Sequence, residues 1–370
     1  HTVAIGADGR VWTWGCNDDG ALGRVTTSAA NPDAGDENMP MLIGGALEGK
    51  IVVTVACGDA QSLAMTLDGE VYGWGCYKDK EGKKWFDADG AGKIKRQQDE
   101  PMKINGLGNP RVSEIVCCAS SNAALLEDGT VRTWGIGEAG ELARPVGTMK
   151  PSPNAEYDHA LILREHLTPQ APVLNSGARA PLMKGLGAGS YHVMLVAAKG
   201  DQSVYSSGLN NYGQLGVGSE DDSKVLVPVP ALNGRGITTV NGGTHHSVAL
   251  ADTGEVYAWG RADYGQLGIG EDGTGAGEFE NAPIVVPMPP GVVGKHLTCG
   301  ENHNLLLTVD NRVYSWGFGQ LGQLGHSSEE DELSPREINM AKAKLENLQI
   351  MQIEGGGQHS VLLGSATATK

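Results

Sequence analysis

Histidine, cysteine and acidic side chains are the residues of this chain that could bind a metal or transfer protons. Its 370 residues include 10 His and 6 Cys, and no two cysteines form a CxxC pair. No HExxH, GxSxG or P-loop motif occurs either. Because metal and catalytic sites need these groups at ligand spacing, the sequence predicts no metal, no cofactor and no conventional enzyme chemistry.

Several histidines instead occupy equivalent places in an internal repeat. The unit runs from a polar residue or His through an apolar segment and a turn, usually Asp-Gly, to Val-x-x-Trp-Gly. In five copies the first residue stands 13 positions before the Trp, and these copies begin at His1, Gln61, Ser121, His246 and His303. A degenerate copy contains Val204 and Ser207-Gly208, and a last one begins near Gly355 and stops at Leu363.

Residues that recur in each copy are expected to hold neighbouring units together. This interpretation covers the equivalent histidines His1, His246, His303 and His359. It also covers the tryptophans of the Trp-Gly pairs, which are residues 14, 74, 134, 259 and 316. Cys57, Cys117 and Cys299 recur four residues before the start of a unit, and we expect them to be small buried fillers.

Alternating apolar residues around the Asp-Gly turn predict a β-hairpin in each unit. With further strands, each unit forms a four-stranded sheet, and radially packed sheets of this kind make a β-propeller. Six near-complete units and one opening strand predict an all-β, seven-bladed β-propeller. We expect a single domain over residues 1–370, with a long inserted loop at about 136–185. The closing strands of the last blade and an N-terminal tail are expected to lie outside this chain.

Unlike side chains occupy the loop just before each unit, near the expected channel mouth. They are Asp59, Ser120, His245, Glu301 and Asn302. Residues that break a repeat on one shared loop favour binding of a single asymmetric partner. The alternative is a solvated polar rim that binds nothing.

The charge balance limits the class of partner. Lys and Arg number 28 and Asp and Glu number 44, which gives a net charge of −16. This charge opposes DNA binding through a uniformly basic surface and favours a partner with a basic surface. No apolar run approaches the length of a membrane span, so no membrane association is expected. We expect a monomer.

The unit resembles the repeat of the regulator of chromosome condensation family. The shared pattern is His-x-x-x-Leu-x-x-Asp-Gly-x-Val-Tyr-x-Trp-Gly, followed by Gly-Gln-Leu-Gly, and the resemblance extends over essentially the whole chain. Segments 15–24, 260–268 and 356–363 carry the strongest likeness. The resemblance implies a guanine nucleotide exchange factor for the small GTPase Ran, located on chromatin in the nucleus. Such a factor favours nucleotide-free Ran and makes no covalent bond.

The same resemblance implies roles for individual residues. An acidic Ran-contacting residue of the family falls on Asp59 and a functional histidine falls on His245. A second family Asp falls on Ser120, where this chain departs from the pattern. We expect these three residues to act in exchange, with Glu301 and Asn302 contacting the partner.

A second exception to the repeat follows Trp74-Gly75. Where other units have a Gly-Gln-Leu-Gly turn, this one has the residues Cys76–Phe86, here called the wedge segment. In the family this place carries a protruding β-wedge that presses on Ran. Lys78, Asp79 and Gly82 align with it, whereas Lys83, Lys84 and Trp85 do not. The predicted partner contacts are Tyr77, Lys78, Asp79, Lys80, Glu81, Gly82, Lys83 and Lys84.

Chromatin contact is a separate expectation that the resemblance implies. Lys150 and Arg164 lie in the inserted loop, where the family has a loop that contacts histones. Binding of nucleosomes or DNA is expected to use this loop and the missing tail.

Two other functions compete with exchange. One is a propeller scaffold that binds a protein partner without exchange activity, which Ser120 and the divergent wedge segment favour. The other is a tryptophan-based ultraviolet receptor like the plant relatives. It needs surplus tryptophans on one face, and only Trp12 and Trp85 lie outside the repeat positions.

Overall fold

The structure is a computed structural model that describes residues 1–27, 34–86, 94–150, 152–198, 204–270, 279–342, 345 and 347–366. Residue 151 of the predicted inserted loop lies outside the described residues. Contacts within the chain divide it into two compact parts, numbered unit 1 and unit 2, which are larger than the repeat units of the sequence. Unit 1 contains His1–Leu186 and Lys224–Leu226, and unit 2 contains Gly187–Ser223 and Val227–Lys370. None of the described helices is long and apolar enough to cross a membrane.

The described part of unit 1 begins with three small antiparallel sheets and one separate hairpin. The first sheet contains β1 (Thr2–Ile5), β2 (Val11–Trp14) and β3 (Met41–Leu42). The second contains β4 (Val52–Cys57), β5 (Gln61–Thr66), β6 (Val71–Gly75) and β9 (Gln98–Lys103). Along the chain, a separate hairpin lies between β6 and β9, and it consists of β7 (Tyr77–Lys78) and β8 (Lys84–Trp85). The third sheet contains β10 (Val112–Cys117), β11 (Ser121–Leu126) and β12 (Val131–Gly135).

The remaining described strands repeat the same meander. One sheet contains β13 (Met183–Ala188), β14 (His192–Ala197), β15 (Val204–Gly208) and β16 (Ser223–Pro228). The next contains β17 (Ile237–Gly242), β18 (His246–Ala251), β19 (Val256–Arg261) and β20 (Phe279–Val285). It is followed by β21 (Gly294–Cys299), β22 (His303–Thr308), β23 (Val313–Gly317) and β24 (Glu332–Glu337). The last sheet is the pair β25 (Leu348–Gly355) and β26 (Ser360–Ala366).

Helical structure is short and mostly confined to the inserted loop. That loop carries the α-helical turn α1 (His159–Leu161), which continues as a π-helical segment at Ile162–Leu167. The Asp158 side chain caps α1 by accepting a hydrogen bond from the Leu161 amide. Single 3₁₀ turns lie at Gly45–Leu47 and Pro230–Leu232.

The predicted hairpins form at the turn that their sequence requires. Strands β18 and β19 pair antiparallel with His246 opposite Gly260, and Gly254 in the turn between them has φ +83°. In the next unit Asn311 takes that turn position with φ +69°, which asparagine tolerates better than most residues. Gly260 also has a positive φ, +98°, and a Cβ there would in addition lie 2.5 Å from the carbonyl oxygen of His245.

One buried hydrogen-bonded node recurs between successive units. The imidazole Nε2 at the start of one unit pairs with the second residue of the next. The pairs are His1 with Ser62, His192 with Ser247, His246 with Asn304, and His303 with Ser360, at 2.7–2.9 Å. That partner then donates to a turn carbonyl, as Ser247 Oγ does to Gln214 O at 2.8 Å. Because its single hydroxyl proton is thereby used, the imidazole must donate from Nε2.

The repeated tryptophans complete the same node. Trp74 Nε1 donates to Ala21 O at 2.7 Å, Trp259 Nε1 to Gln214 O at 2.8 Å, and Trp316 Nε1 to Gln266 O at 3.1 Å. All three indoles are fully buried. The structural role predicted for the repeated His and Trp residues is therefore confirmed at these positions. Trp14 differs, because it is only half-buried.

The prediction of buried cysteine fillers is partly wrong. Cys299 is buried and Cys117 is half-buried, but Cys57 is exposed at the end of β4. All three have the same register, since Cys57 pairs with Ser62, Cys117 with Asn122 and Cys299 with Asn304, so the repeat position alone does not fix their burial.

Burial of the node histidines makes stability depend on pH. Loss of hydration lowers the pKa of His246 to about 4, so the folded protein keeps it neutral. The unfolded chain binds a proton near pH 6.5, so the stability from the neutral imidazole is present above that pH and is lost as pH falls towards 4. In His246→Gln, the advantage of the wild type in unfolding free energy should therefore shrink below pH 6.5 by up to about 1.4 kcal/mol per pH unit.

Urea unfolding of both proteins between pH 5 and 7.5 measures this difference. Gln is a native alternative at this position, since Gln61 starts the second unit and donates to Cys118 O at 3.0 Å. Burial raises the pKa of Glu114 and Glu141 to about 7, which acts in the opposite direction, but both proteins carry them. A difference independent of pH would show that His246 is not held neutral by folding.

Candidate functional site

The wedge segment forms a short hairpin on unit 1. Tyr77 pairs with Trp85 and Lys78 with Lys84, and the Asp79 amide donates to Lys83 O at 3.1 Å to close the turn. The tip residues Lys80, Glu81 and Gly82 are exposed. Gly82 has φ +76°, a conformation that glycine adopts without strain. The segment therefore presents a polar tip on a closed turn.

The carboxylate of Asp79 organises this turn. Its Oδ1 accepts the backbone amides of Glu81 and Lys83 at 3.0 and 2.9 Å. Its Oδ2 accepts Trp85 Nε1 at 3.0 Å and the hydroxyl of Tyr157 at 2.8 Å. Asp79 is only 7 % exposed, so this residue, which the sequence predicted to contact the partner, has its side chain inside the turn.

The base of the wedge segment is held by two polar anchors. Ser120 Oγ accepts the backbone amide of Lys78 at 3.0 Å, which joins the Ser120 loop to the first strand of the hairpin. Asp19 pairs with Lys78 Nζ at 2.5 Å and with Lys84 Nζ at 2.8 Å, one lysine from each strand. Burial alone would raise the pKa of Asp19, but the hydrogen bonds from these lysines outweigh it and lower the pKa.

The wedge segment and the inserted loop share one apolar core. Tyr77, Trp85 and Phe86 are almost fully buried and pack in the same cluster as Ile162 and Leu167 of the inserted loop. The rings of Tyr77 and Phe86 stack with centroids 5.3 Å apart. Trp134 Nε1 donates to the hydroxyl of Tyr77 at 3.1 Å, where other units offer a turn carbonyl. The hairpin thus replaces the missing turn in the packing of unit 1.

Asp59 lies on the loop that precedes β5. Its backbone amide donates to Ala119 O at 3.1 Å, which joins this loop to the corresponding loop of the next unit. The residue as a whole is exposed, but loss of hydration around its carboxylate raises the pKa of Asp59. The positive charge of Lys78 opposes that rise. The structure thus links the Asp59 loop to the Ser120 loop and the Ser120 hydroxyl to the wedge segment, all in unit 1.

His245 forms part of a row of rings on unit 2. Its imidazole lies 5.0 Å from the Tyr212 ring and 6.1 Å from the Tyr191 ring. The guanidinium of Arg261 lies 5.1 Å from the Tyr212 centroid and pairs with Asp263 at 2.7 Å. Burial and the Arg261 charge lower the pKa of His245, so its imidazole is neutral at pH 7.

Glu301 and Asn302 occupy the corresponding loop of the following unit. Glu301 is exposed and Asn302 is half-buried. The Thr244 amide donates to Glu301 O at 2.8 Å, so this loop is bonded to the loop of His245. These three predicted residues therefore belong to one set of linked loops in unit 2.

The residues predicted to contact chromatin have intrachain partners. Lys150 Nζ lies 2.5 Å from Glu81 Oε2 at the wedge tip. Arg164 is exposed and pairs with Glu165 at 2.7 Å. The described residues contain no group of three or more His, Cys, Asp or Glu side chains arranged to hold a metal ion.

Sequence reasoning missed four residues of these sites. His192 holds the node of the degenerate unit, but extra residues in its hairpin break the 13-residue spacing to the Trp position. Tyr191 was missed for the same reason, since it directly precedes His192. Asp19 sits in an ordinary repeat turn, and Tyr157 lies in the inserted loop, where no periodicity indicates a role.

Comparison with known proteins places these features in a family. A family model described as an RCC1-like domain matches residues 1–362. The human protein named Regulator of chromosome condensation is 33% identical over 370 residues, which cover 98% of this chain and 80% of that protein. The Saccharomyces cerevisiae protein named Guanine nucleotide exchange factor SRM1 is 29% identical over 98% of this chain and 76% of its own length.

The fold has a close structural counterpart. The crystal structure of Prp20p from Saccharomyces cerevisiae, described with its binding properties to Gsp1p and histones, matches with a TM-score of 0.81. The match has 26% sequence identity and covers 98% of this chain and 80% of that chain. The predicted all-β propeller class is thereby confirmed, and the number of seven blades stays a prediction.

The geometry of the wedge base gives a first prediction. Replacing Asp19 by Asn removes the charge that holds Lys78 and Lys84, so the hairpin should open more often. We expect amide hydrogen exchange of residues 77–85 to become about two- to fivefold faster, since partly exposed ion pairs stabilise by about 1 kcal/mol or less. Mass spectrometry of the peptide that covers this segment measures it.

Asp8→Asn is the matched control. It removes an exposed ion pair with Arg10 at 2.6 Å in the same unit, away from the hairpin. Equal exchange in the two variants would mean that Asp19 does not hold the wedge segment.

Proposed function

The chain belongs to the RCC1-like domain family, and from that premise we propose that it is a guanine nucleotide exchange factor for the small GTPase Ran, acting on chromatin in the nucleus. The observation that carries the proposal is the wedge segment. It is a closed hairpin with an exposed polar tip, anchored at its base beside Asp59 and Ser120, at the one described repeat turn that has been replaced by such a structure.

Exchange requires differential binding rather than bond chemistry. A factor accelerates release only if it binds the nucleotide-free GTPase better than the loaded one. A nanomolar nucleotide complex corresponds to about 12 kcal/mol, which the contacts with the factor must offset. A preorganised hairpin suits this task because little further ordering is needed when it contacts the partner.

The wedge segment would act at the phosphate-binding region of the GTPase. The exposed tip at Lys80–Gly82 enters there, displaces the phosphate loop and weakens its contacts with phosphate and Mg²⁺. Nucleotide then leaves, and the more abundant nucleotide rebinds. The segment can push without folding back because its base is bonded to Asp19 and Ser120.

Asp59 would attract a lysine of the GTPase away from the phosphates. Burial raises the pKa of Asp59, and an incoming ammonium group would lower it by stabilising the carboxylate. His245 is neutral at pH 7 and would serve as a hydrogen-bond partner for a GTPase side chain. Glu301 and Asn302 would extend the same contact. The net charge of −16 would speed the encounter with a basic GTPase surface at low salt.

Chromatin binding would use the inserted loop. Arg164 is exposed for contact with an acidic histone surface, whereas Lys150 already pairs with Glu81. The proposed localisation on chromatin derives from the names of the relatives.

The second candidate function is a scaffold without exchange activity. The observation that favours it is Ser120, because its hydroxyl is used to hold the Lys78 amide and offers no negative charge to a partner lysine. A scaffold would bind GDP-loaded and nucleotide-free Ran equally well.

Release of a fluorescent GDP analogue from Ran tests the proposal. We expect strong acceleration by this protein with Ran and none with an unrelated small GTPase. Asp59→Ala and His245→Ala should each lower the exchange rate by about tenfold, the effect of losing roughly 1.4 kcal/mol of selective contact. Asp59→Ala should keep the thermal midpoint of the wild type, because its side chain is exposed on a loop, whereas His245→Ala removes a half-buried ring and should lower the midpoint slightly while the protein stays folded.

Asp68→Ala is the matched control for Asp59→Ala. Asp68 is also exposed, but it lies in the hairpin turn at the opposite end of β5. The Asp68→Ala variant should accelerate GDP release from Ran as much as the wild type does. A folded wild-type protein that leaves the release of GDP from Ran unchanged would refute exchange activity and favour the scaffold.

A further inference from the structure

The wedge segment cannot fix its own orientation. Only two residue pairs connect its strands, and isolated two-stranded hairpins are marginally stable in water. Its tip is exposed, and its base anchors act on Lys78 and Lys84. Side chains from other parts of the chain add to the hold on its outer half, and one of them is Glu138, whose Oε2 accepts the Lys80 amide at 2.8 Å.

Tyr157 of the inserted loop contacts the rest of the turn and the second strand. Its hydroxyl lies 2.8 Å from Asp79 Oδ2 and 3.0 Å from Glu81 Oε2, both on the turn. Its ring contacts the returning strand, with Lys83 Nζ 3.7 Å from the ring centroid and the Trp85 ring 4.8 Å away, edge to face. One side chain thus holds the turn, the tip and the second strand.

The surrounding residues support this contact. Lys150 Nζ lies 4.3 Å from the Tyr157 centroid and 2.5 Å from Glu81 Oε2, so it binds the ring and the tip together. The Asp158 amide donates to Met149 O at 2.9 Å, which closes the backbone around Tyr157. Burial and the two carboxylates hold the pKa of Tyr157 above its usual value, so its hydroxyl keeps its proton at neutral pH.

We propose that Tyr157 is a positioning residue for nucleotide exchange, because it holds the wedge segment in one orientation through Asp79, Glu81 and Lys83. This inference rests on the proposed exchange function. Tyr157 need not touch the GTPase. Its contribution is that the tip is already oriented when the partner arrives, so the ordering is not required during nucleotide release.

Tyr157→Phe is the direct test, since it removes the hydroxyl and keeps the ring packing. We expect kcat for GDP release from Ran to fall about three- to tenfold, the usual net size of one intramolecular hydrogen bond. KM for Ran should change by less than about twofold, because initial docking uses other residues. Amide exchange of residues 77–86 should become faster, and the thermal midpoint should stay at the wild-type value.

Two further variants separate positioning from general damage. Tyr72→Phe removes a similar bond, from the Tyr72 hydroxyl to Glu70 Oε2 at 3.0 Å, on β6 of the same unit, and should leave all measurements unchanged. In a Glu81→Gln background, Tyr157→Phe should cost less than it does in the wild type, because part of the interaction is already weakened.

The outcomes distinguish this inference from the proposed function. If Tyr157→Phe keeps the wild-type kcat, or if its kcat falls only together with its thermal midpoint, the positioning role is overturned. If the wild type itself does not accelerate release from Ran, the exchange function fails. The amide exchange of the wedge segment then still shows whether Tyr157 orders the hairpin.

Discussion

A buried imidazole that donates from Nε2 to the next unit is the interaction on which this repeat fold depends. This hydrogen bond is accepted by Ser62, Ser247, Asn304 and Ser360, and each of them donates a hydrogen bond of its own to a turn carbonyl, at 2.8–2.9 Å. Three of these carbonyls also accept a tryptophan indole. Where the groups are fully buried, as in the His192–Ser247 and His246–Asn304 nodes, loss of one member leaves the others without a partner, at a cost of about 1–3 kcal/mol each.

The part of the candidate site around the wedge segment, Asp59 and Ser120 lies where this rule is replaced. The second and third units begin with Gln61 and Ser121 instead of His, and the wedge segment takes the place of the Gly-Gln-Leu-Gly turn. The hydroxyl of Tyr77 then accepts the Trp134 indole in place of a carbonyl. Side chains of the inserted loop fill the space around the hairpin. The departures from the repeat are thus a connected structure with its own core, which is compatible with a function that the regular units do not share.

The repeat made most of the fold predictable, because a 13-residue spacing fixes both the hairpin and the position of its Trp. It also indicated Asp59, Ser120 and His245 as exceptions on one type of loop. The contacts of Asp19 and Tyr157 were not predictable. Both act across long sequence separations, and Tyr157 reaches Asp79 over 78 residues from a loop without periodicity. The sequence likewise could not show that Asp79 faces inwards, since its role depends on a buried indole and a distant hydroxyl.

The most direct test of the account is the affinity of this protein for Ran in two states, nucleotide-free and loaded with GDP, measured at one salt concentration. An exchange factor must bind the nucleotide-free state far more tightly, because a protein with equal affinity for both states shifts nothing. We predict a ratio of about 10³ or more, since each factor of ten corresponds to about 1.4 kcal/mol taken from the nucleotide complex. Equal affinities would contradict the account and leave a scaffold.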